Sequence, residues 1–409
     1  EPTTPYQDLL AQRGVVFEAA HSTAPWTLPS HASMFTGHYA SATGADWSSP
    51  MRSDLPTLAE AFLAHGYATG GFVANQSFAG YRSGLARGFG RYRTVPWSVR
   101  QALLGTTPMQ SRSAVAALLV WDRTRWVRGT LGALWPVDFQ QPGANLRAAP
   151  KTGAEVTEEF LAWLPATGGR PFFAFLNLFD AHRPYLPPAG YQPMFDPEAR
   201  AHGRYLGAIR YLDDQVRLLL QELERRGALA TTIVVITSDH GELFGEHGLY
   251  THGNDLYRPL LHVPLLVVNA PGAVPGTRVT QSVSLRDLGA TLLDLAQVPN
   301  AARLPGTSLR PLLAGAGHLS TASPVIAELS GHDLETDQGG QVPLDLKSLV
   351  EDTSHVIVDA AGGLRVFSYP ADTAELHDRS GTPEVRTAAA QRLRRALAGQ
   401  GISWPEGGA

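Results

Sequence analysis

Asp239 and His240 are neighbours in SDHGELFGEHG (238–248), directly behind the apolar run TTIVVITS. An aspartate and a histidine at a strand end offer a hard oxygen and a borderline nitrogen to a divalent cation. FDAHRPYLPP (179–188) repeats the arrangement behind PFFAFLNLF: Asp180 and His182 stand at the strand end, and Pro184, Pro187 and Pro188 stiffen the exit loop. His252, in YTHGNDLY (250–257), comes just ahead of VPLLVVNA. Thr27 lies in TAPWTLPSHASMFTG (23–37), where Pro29 suits the first position of a helix Ser30–Thr36 and Gly37 suits its stop. That places Thr27 at a helix amino end, whose free N–H groups bind oxyanions. Threonine alone is a poor nucleophile, but metal coordination lowers its hydroxyl pKa enough for attack on phosphorus or sulfur. Taken singly, each motif has a plainer explanation, such as a capping threonine, a capping aspartate or a histidine satisfied in the core. Three histidine-bearing loops at one edge of one sheet are hard to explain by packing alone.

Such loops need strands whose carboxyl ends meet at one crevice, where doubly wound folds bind ligands. Helical and strand-like segments alternate over roughly the first 300 residues, the pattern of an α/β fold with a mainly parallel central sheet. LPTLAEAFLAH (55–65) has helical spacing and stops at Gly66, and YATGGFVAN follows as a strand. KTGAEVTEEFLAWL (151–164) reads as a helix, and PFFAFLNLF as a central strand buried on both faces. Residues 205–226 make a long amphipathic helix, TTIVVITS and VPLLVVNA two more buried strands, and SLRDLGATLLDLA a helix. Between about 95 and 150 the pattern breaks into Trp- and Arg-rich segments, an insertion that is a candidate substrate lid. After about residue 318 SPVIAEL, SHVIVDA and GLRVFSY read as short strands and TPEVRTAAAQRLRRALAG as a closing helix. The expected division is therefore 1–318 for the main domain and 319–409 for a small antiparallel sheet with one packed helix.

Composition narrows the class. The 409 residues are 44% hydrophobic and 17% charged with a formal net charge of −4, a composition that does not suggest the strongly basic face nucleic acid needs, so no nucleic-acid partner is expected. The absence of cysteine removes disulfides, thiolate metal sites and cysteine nucleophiles, and leaves the compartment open between cell envelope and cytoplasm. No run of about 18 apolar residues occurs, and AVAALLVW (114–121) ends at Asp122. Membrane association is left only to that insertion or to a segment ahead of Glu1. EPTTPYQDLL has no signal-peptide pattern and does not read as the start of a fold.

In chain order, TPYQDLLAQRGVVFEAAHSTAPWTLPSHASMFTG, LPTLAEAFLAHGYATGGFVAN, FDAHRPYLPP, YLDDQ, VVITSDHGE, HGNDLYRPLLHVPLL and TAELHDRSGTPEV resemble motifs of the sulfatase family, within the alkaline-phosphatase superfamily. The resemblance runs over nearly the whole chain. It implies an alkaline-phosphatase-like sandwich with Thr27 as nucleophile and one divalent cation on Asp239, His240 and Thr27, calcium or manganese before zinc. It implies further that His182 and His252 act on the substrate anion and that His31, Asn75 and Asp180 line the substrate pocket. The family's C/S-x-P-S-R is here Thr27-Leu28-Pro29-Ser30-His31, so His31 replaces an arginine, and His252 stands where many members carry lysine. Formylglycine is made from cysteine or serine; Thr27 therefore shifts the implied chemistry from the sulfatase aldehyde hydrate towards phosphorus. Two-metal relatives carry Asp-x-x-x-His, whereas Pro184 takes that last position after Asp180, which implies a single cation. The family also opens with a strand ending in metal-binding aspartate ahead of the TPYQDLL-like segment. That strand is not in this chain, so a truncated sequence is expected. The implied function is a metal-dependent hydrolase of phosphate or sulfate esters, phosphoesters favoured, acting on a small-molecule or lipid-like anionic ester. A phosphoryl transferase, a sulfuric ester hydrolase and a non-catalytic binding module stay open as alternatives. Oligomeric state is not legible.

Overall fold

Residues 3–94, 151–191, 200–301, 303–320, 323–335 and 341–405 are described by the computed structural model. The insertion read at about 95–150 falls outside them. The chain starts with helix α1 (Pro5–Ala11) and strand β1 (Gly14–His21), so GVVFEAAH, not separately read as a strand, is a structural strand. Helix α2 (Thr27–Thr36) follows. It begins three residues ahead of the expected Ser30, and Pro29 takes its third position. Proline is tolerated there because the N–H groups of a first helical turn have no intrahelical partner to lose. Gly37 ends α2 at φ +72°, and a Cβ there would lie 2.0 Å from the Pro305 carbonyl oxygen.

Helix α3 (Leu58–Ala64) is opened by a capping box between Thr57 and Glu60, and strands β2 (Ala68–Val73) and β3 (Arg91–Arg93) follow it. A second capping box, Thr152 with Glu155, opens α4 (Gly153–Trp163) ahead of β4 (Phe172–Asn177). Reciprocal side-chain bonds of this kind satisfy two otherwise orphaned donors and set the starts at Leu58 and Gly153, slightly inside the segments expected to be helical. Helix α5 (Arg200–Arg225), strands β5 (Val234–Thr237), β6 (Leu243–Phe244), β7 (Tyr250–Thr251), β8 (His262–Val268), β9 (Arg278–Val279) and β10 (Val283–Ser284), and helix α6 (Leu288–Leu295) complete the first part.

Strands β2, β3 and β4 form a parallel sheet in the order β3-β2-β4. A second sheet runs β10-β1-β8-β5, with β9 also on β1. There β8 is antiparallel to both β1 and β5, while β9 and β10 are parallel to β1. The two sheets share their flanking layers. Ala174 and Leu176 of β4 and Val234 and Ile236 of β5 pack with Phe160 and Trp163 of α4 and Leu220 and Leu223 of α5. Phe175 and Val235, pointing the other way as strand alternation requires, pack into the core that holds Leu28, Ala32 and Phe35 of α2.

PFFAFLNLF and TTIVVITS were expected to be fully buried, yet every residue of β4 and β5 is half-buried. Among the described residues β4 pairs only with β2 and β5 only with β8. Each therefore ends its own sheet with one backbone edge outside a ladder, and both apolar faces stay covered by helices.

The last part is an antiparallel meander of β11 (Val325–Glu335), β12 (Gln341–Glu351), β13 (Ser354–Asp359) and β14 (Leu364–Ser368), followed by α7 (Pro383–Gly399). β12 was not read from the sequence. On one face Ile326, Leu349, Val356 and Val358 meet Ala389, Leu393 and Leu397 of α7. The other face sends Leu329, Leu346, Ile357 and Phe367 into the same core as α2 and β1.

Candidate active site

Thr27 is 3% exposed at the amino end of α2. Asn75, just past β2, donates from Nδ2 to Thr27 Oγ1 at 3.3 Å. Its Oδ1 accepts the Phe78 N–H at 3.2 Å, so the amide can face Thr27 only with its nitrogen. Asn177, the last residue of β4, holds the Asn75 backbone N–H from its own Oδ1 at 3.0 Å. The neighbouring ends of β2 and β4 therefore support the contact to Thr27.

The end of β5 supplies the opposite wall. His240 Nε2 lies 3.5 Å from Thr27 Oγ1, and its Nδ1 lies 2.8 Å from the Gly241 carbonyl oxygen. A carbonyl only accepts, so Nδ1 carries the proton and Nε2 turns a lone pair to the Thr27 hydroxyl. Burial lowers the His240 pKa, outweighing the pull of Asp239. Asp239 Oδ2 sits 3.6 Å from His240 Nε2 and 3.4 Å from His31 Nδ1. Burial alone would raise the Asp239 carboxyl, but His240 and His31 hold it below its ordinary value. Ser30 donates to the Asp239 carbonyl oxygen at 2.7 Å, and His31 Nδ1 lies 2.8 Å from the Thr27 carbonyl oxygen. The first turn of α2 is thus bonded to the end of β5.

The remaining two histidines extend the cluster. The His252 ring is centred 4.4 Å from that of His240 and 5.0 Å from that of His182. His182 Nδ1 lies 2.8 Å from the Arg183 carbonyl oxygen, which again leaves Nε2 as the free nitrogen. Burial lowers the His182 pKa despite that bond. His252 Nδ1 is 3.1 Å from Oε1 of Glu242, a residue the sequence reading passed over although it sits in the same SDHGE run.

Of the expected site residues, Thr27, His31, Asn75, Asp239, His240, His252 and His182 form one chain of contacts. Asp180 is turned elsewhere, with its carboxylate against Gly153 at the amino end of α4. Among the described residues its Oδ2 is buried without a hydrogen-bond partner, and burial raises its pKa. As cation donors, Thr27, Asp239 and His240 bring one hydroxyl, one carboxylate and one imidazole. Among the described residues no group of three or more His, Asp or Glu is arranged to hold a metal ion. The donor set is therefore incomplete for an oxygen-seeking cation, which takes about six to eight ligands.

A buried hydroxyl at a helix amino end, faced by strand-end Asp and His side chains, lies at the strand-end crevice of an α/β protein, where such folds bind ligands. The chain belongs to the sulfatase family: the family model described as Sulfatase matches residues 1–298. Arylsulfatase K of Danio rerio is 26% identical over 336 residues, covering 76% of this chain and 63% of that protein. The chain thus spans under two-thirds of the length of that relative. N-acetylglucosamine-6-sulfatase of Homo sapiens is 38% identical over 121 residues, 29% of this chain and 22% of that one. The fold matches that of the phosphonate monoester hydrolase of Agrobacterium radiobacter with a TM-score of 0.73 at 20% identity, over 97% of this chain and 91% of that one. It also matches a protein solved with its substrate D-glucosamine-2-N,6-O-disulfate, with a TM-score of 0.75 at 16% identity, over 98% and 94%. The architecture is accordingly the alkaline-phosphatase-like α/β sandwich with a small antiparallel sheet.

Proposed function

We propose that this chain is an ester hydrolase that attacks phosphorus through a covalent Thr27 intermediate. The observation that carries the reading is Thr27 Oγ1 held between Asn75 Nδ2 at 3.3 Å and His240 Nε2 at 3.5 Å. Because Asn75 donates to Oγ1, the hydroxyl proton is directed to the His240 lone pair. An Oγ–P bond forms, the P–O bond to the leaving group breaks with its electron pair on the leaving oxygen, and the hydroxyl proton passes to His240. Water then attacks phosphorus, and Thr27 Oγ leaves and takes the proton back from His240. One water proton stays on the released phosphate; the other goes to solvent, balancing the one taken by the alcohol. His182 and His252 face the equatorial oxygens, and the free N–H groups of α2 add their positive end. His31 holds the first turn of α2.

The divalent cation that the family resemblance implies, calcium or manganese before zinc, would be held by Asp239 and Thr27; His240, the third donor the resemblance implies, has a single Nε2 lone pair and serves here as the base instead. No step is assigned to it. Residues 1–318 carry this site, and 319–409 make the small subdomain packed against it. Sulfate esters are the second reading, favoured by the 26% identity to arylsulfatase K and by the near-isosteric tetrahedral anions.

A panel of aryl phosphate, phosphodiester, phosphonate and sulfate esters tests both, with added alcohol to reveal transfer in place of hydrolysis. Thr27→Ala is expected to lose at least about 10³-fold in kcat, and rapid quenching to trap phosphothreonine at position 27. Turnover retained in Thr27→Ala overturns the nucleophile assignment.

A further inference from the structure

Glu242 precedes β6 and His252 follows β7. The hairpin pairs Leu243 with Thr251 and Phe244 with Tyr250, so the next position of the same register sets Glu242 opposite His252. The pair is made: Glu242 Oε1 lies 3.1 Å from His252 Nδ1, with the glutamate side chain 5% and the histidine 14% exposed. Burial, and after it the nearby Glu242 carboxylate, raises the pKa of Tyr185, a buried side chain on the loop that carries His182. Thr251, immediately before His252, has φ +67°, a region costly for a β-branched residue. Strain of this sort persists where the surroundings over-determine it, and here it turns the backbone that aims the His252 ring.

We propose that Glu242 is the positioning residue for His252. A carboxylate accepting at Nδ1 fixes the ring so that Nε2 is the nitrogen presented towards His182 and His240. This rests on the reading of His252 as a group that meets the substrate anion. It explains how a histidine serves at this position: an imidazole has two inequivalent edges, and only a buried acceptor selects one of them. A freely rotating ammonium would need no such partner.

The test combines ring ¹⁵N NMR with a double-mutant cycle. In the unmodified protein His252 Nδ1 is expected to carry the proton, and Glu242→Ala to shift the ring towards the other tautomer. With an aryl phosphate, Glu242→Ala is expected to lower kcat/KM by about 10–100-fold, and Glu242→Gln, whose amide oxygen still accepts, to recover most of it. In a His252→Ala background the same Glu242→Ala change is expected to cost nothing further. An unchanged His252 tautomer in Glu242→Ala, or an equal loss in the His252→Ala background, overturns the proposal. Glu242→Asp, whose carboxylate is one methylene short of the ring, gives the same readouts if Glu242→Ala does not fold. If no ester in the panel turns over, the hydrolase reading fails while the NMR result still decides the positioning role.

Discussion

Asn75 Nδ2 donates to Thr27 Oγ1 at 3.3 Å across 48 residues of sequence. The same side chain caps the short helical turn after it through Phe78 N–H, so its amide cannot flip without losing that bond. Asn75→Ala is expected to lower kcat by about 10²-fold through a loosened Thr27 hydroxyl. Asn75→Asp is expected to do more, because it places a second acceptor against Oγ1. Steady-state kinetics beside a thermal unfolding scan separate this from loss of fold.

Anion affinity is expected to depend on pH through His182. Burial lowers its pKa in the free protein, whereas an anion beside Nε2 favours the charged ring and raises it. Binding therefore takes up a proton, and affinity for inorganic phosphate or vanadate rises as pH falls from the bound value to the free one. Calorimetry in buffers of different ionisation enthalpy measures the proton. His182→Gln is expected to flatten the profile.

Acid is expected to destabilise the junction between β1 and the carboxyl-terminal sheet. His21 is 1% exposed, with Nε2 3.1 Å from the Tyr369 hydroxyl and Nδ1 without a partner among the described residues. Burial, reinforced by His262, His355 and Arg258, holds its pKa well below the ordinary 6.5. The unfolded chain thus binds more protons than the folded one below about pH 6.5, and stability falls as pH drops through that range, by up to about 1.4 kcal/mol per pH unit. His21→Gln, which keeps a bond to Tyr369 in reach, is expected to reduce that slope in urea unfolding followed from neutral to acid pH.

Gly241 packs so closely that a Cβ would lie 1.9 Å from the Pro259 carbonyl oxygen, while its N–H donates to Leu260 at 2.8 Å. Gly241→Ala is expected to cost about 1–3 kcal/mol and to displace both His240 and Glu242, with loss of turnover. Gly381→Ala, where nothing lies within 4 Å of the new Cβ, is the control and is expected to be near neutral. Thermal unfolding of the two variants decides.

Much of this molecule was legible because local rules were strong. The capping boxes at Thr57 and Thr152 and the glycine stop at Gly37 mark helix ends by chemistry confined to a few residues. The Asp-His pairs announced themselves by following apolar strands. Less was legible where burial depends on partners: β4 reads as a central strand and β5 as a buried one, yet among the described residues each ends its sheet.

The sequence by itself determined the residue types, their order along alternating helices and strands, and the family motifs that single out Thr27. Tertiary structure alone decided which nitrogen of each histidine is free, that Asn75 reaches Thr27, that Asp180 turns to the α4 end, and that Glu242 meets His252. Residue type and local propensity specify what a side chain is able to donate or accept. Which partner it meets depends on sheet register and on strand ends brought together from distant parts of the chain, and no local window contains that information.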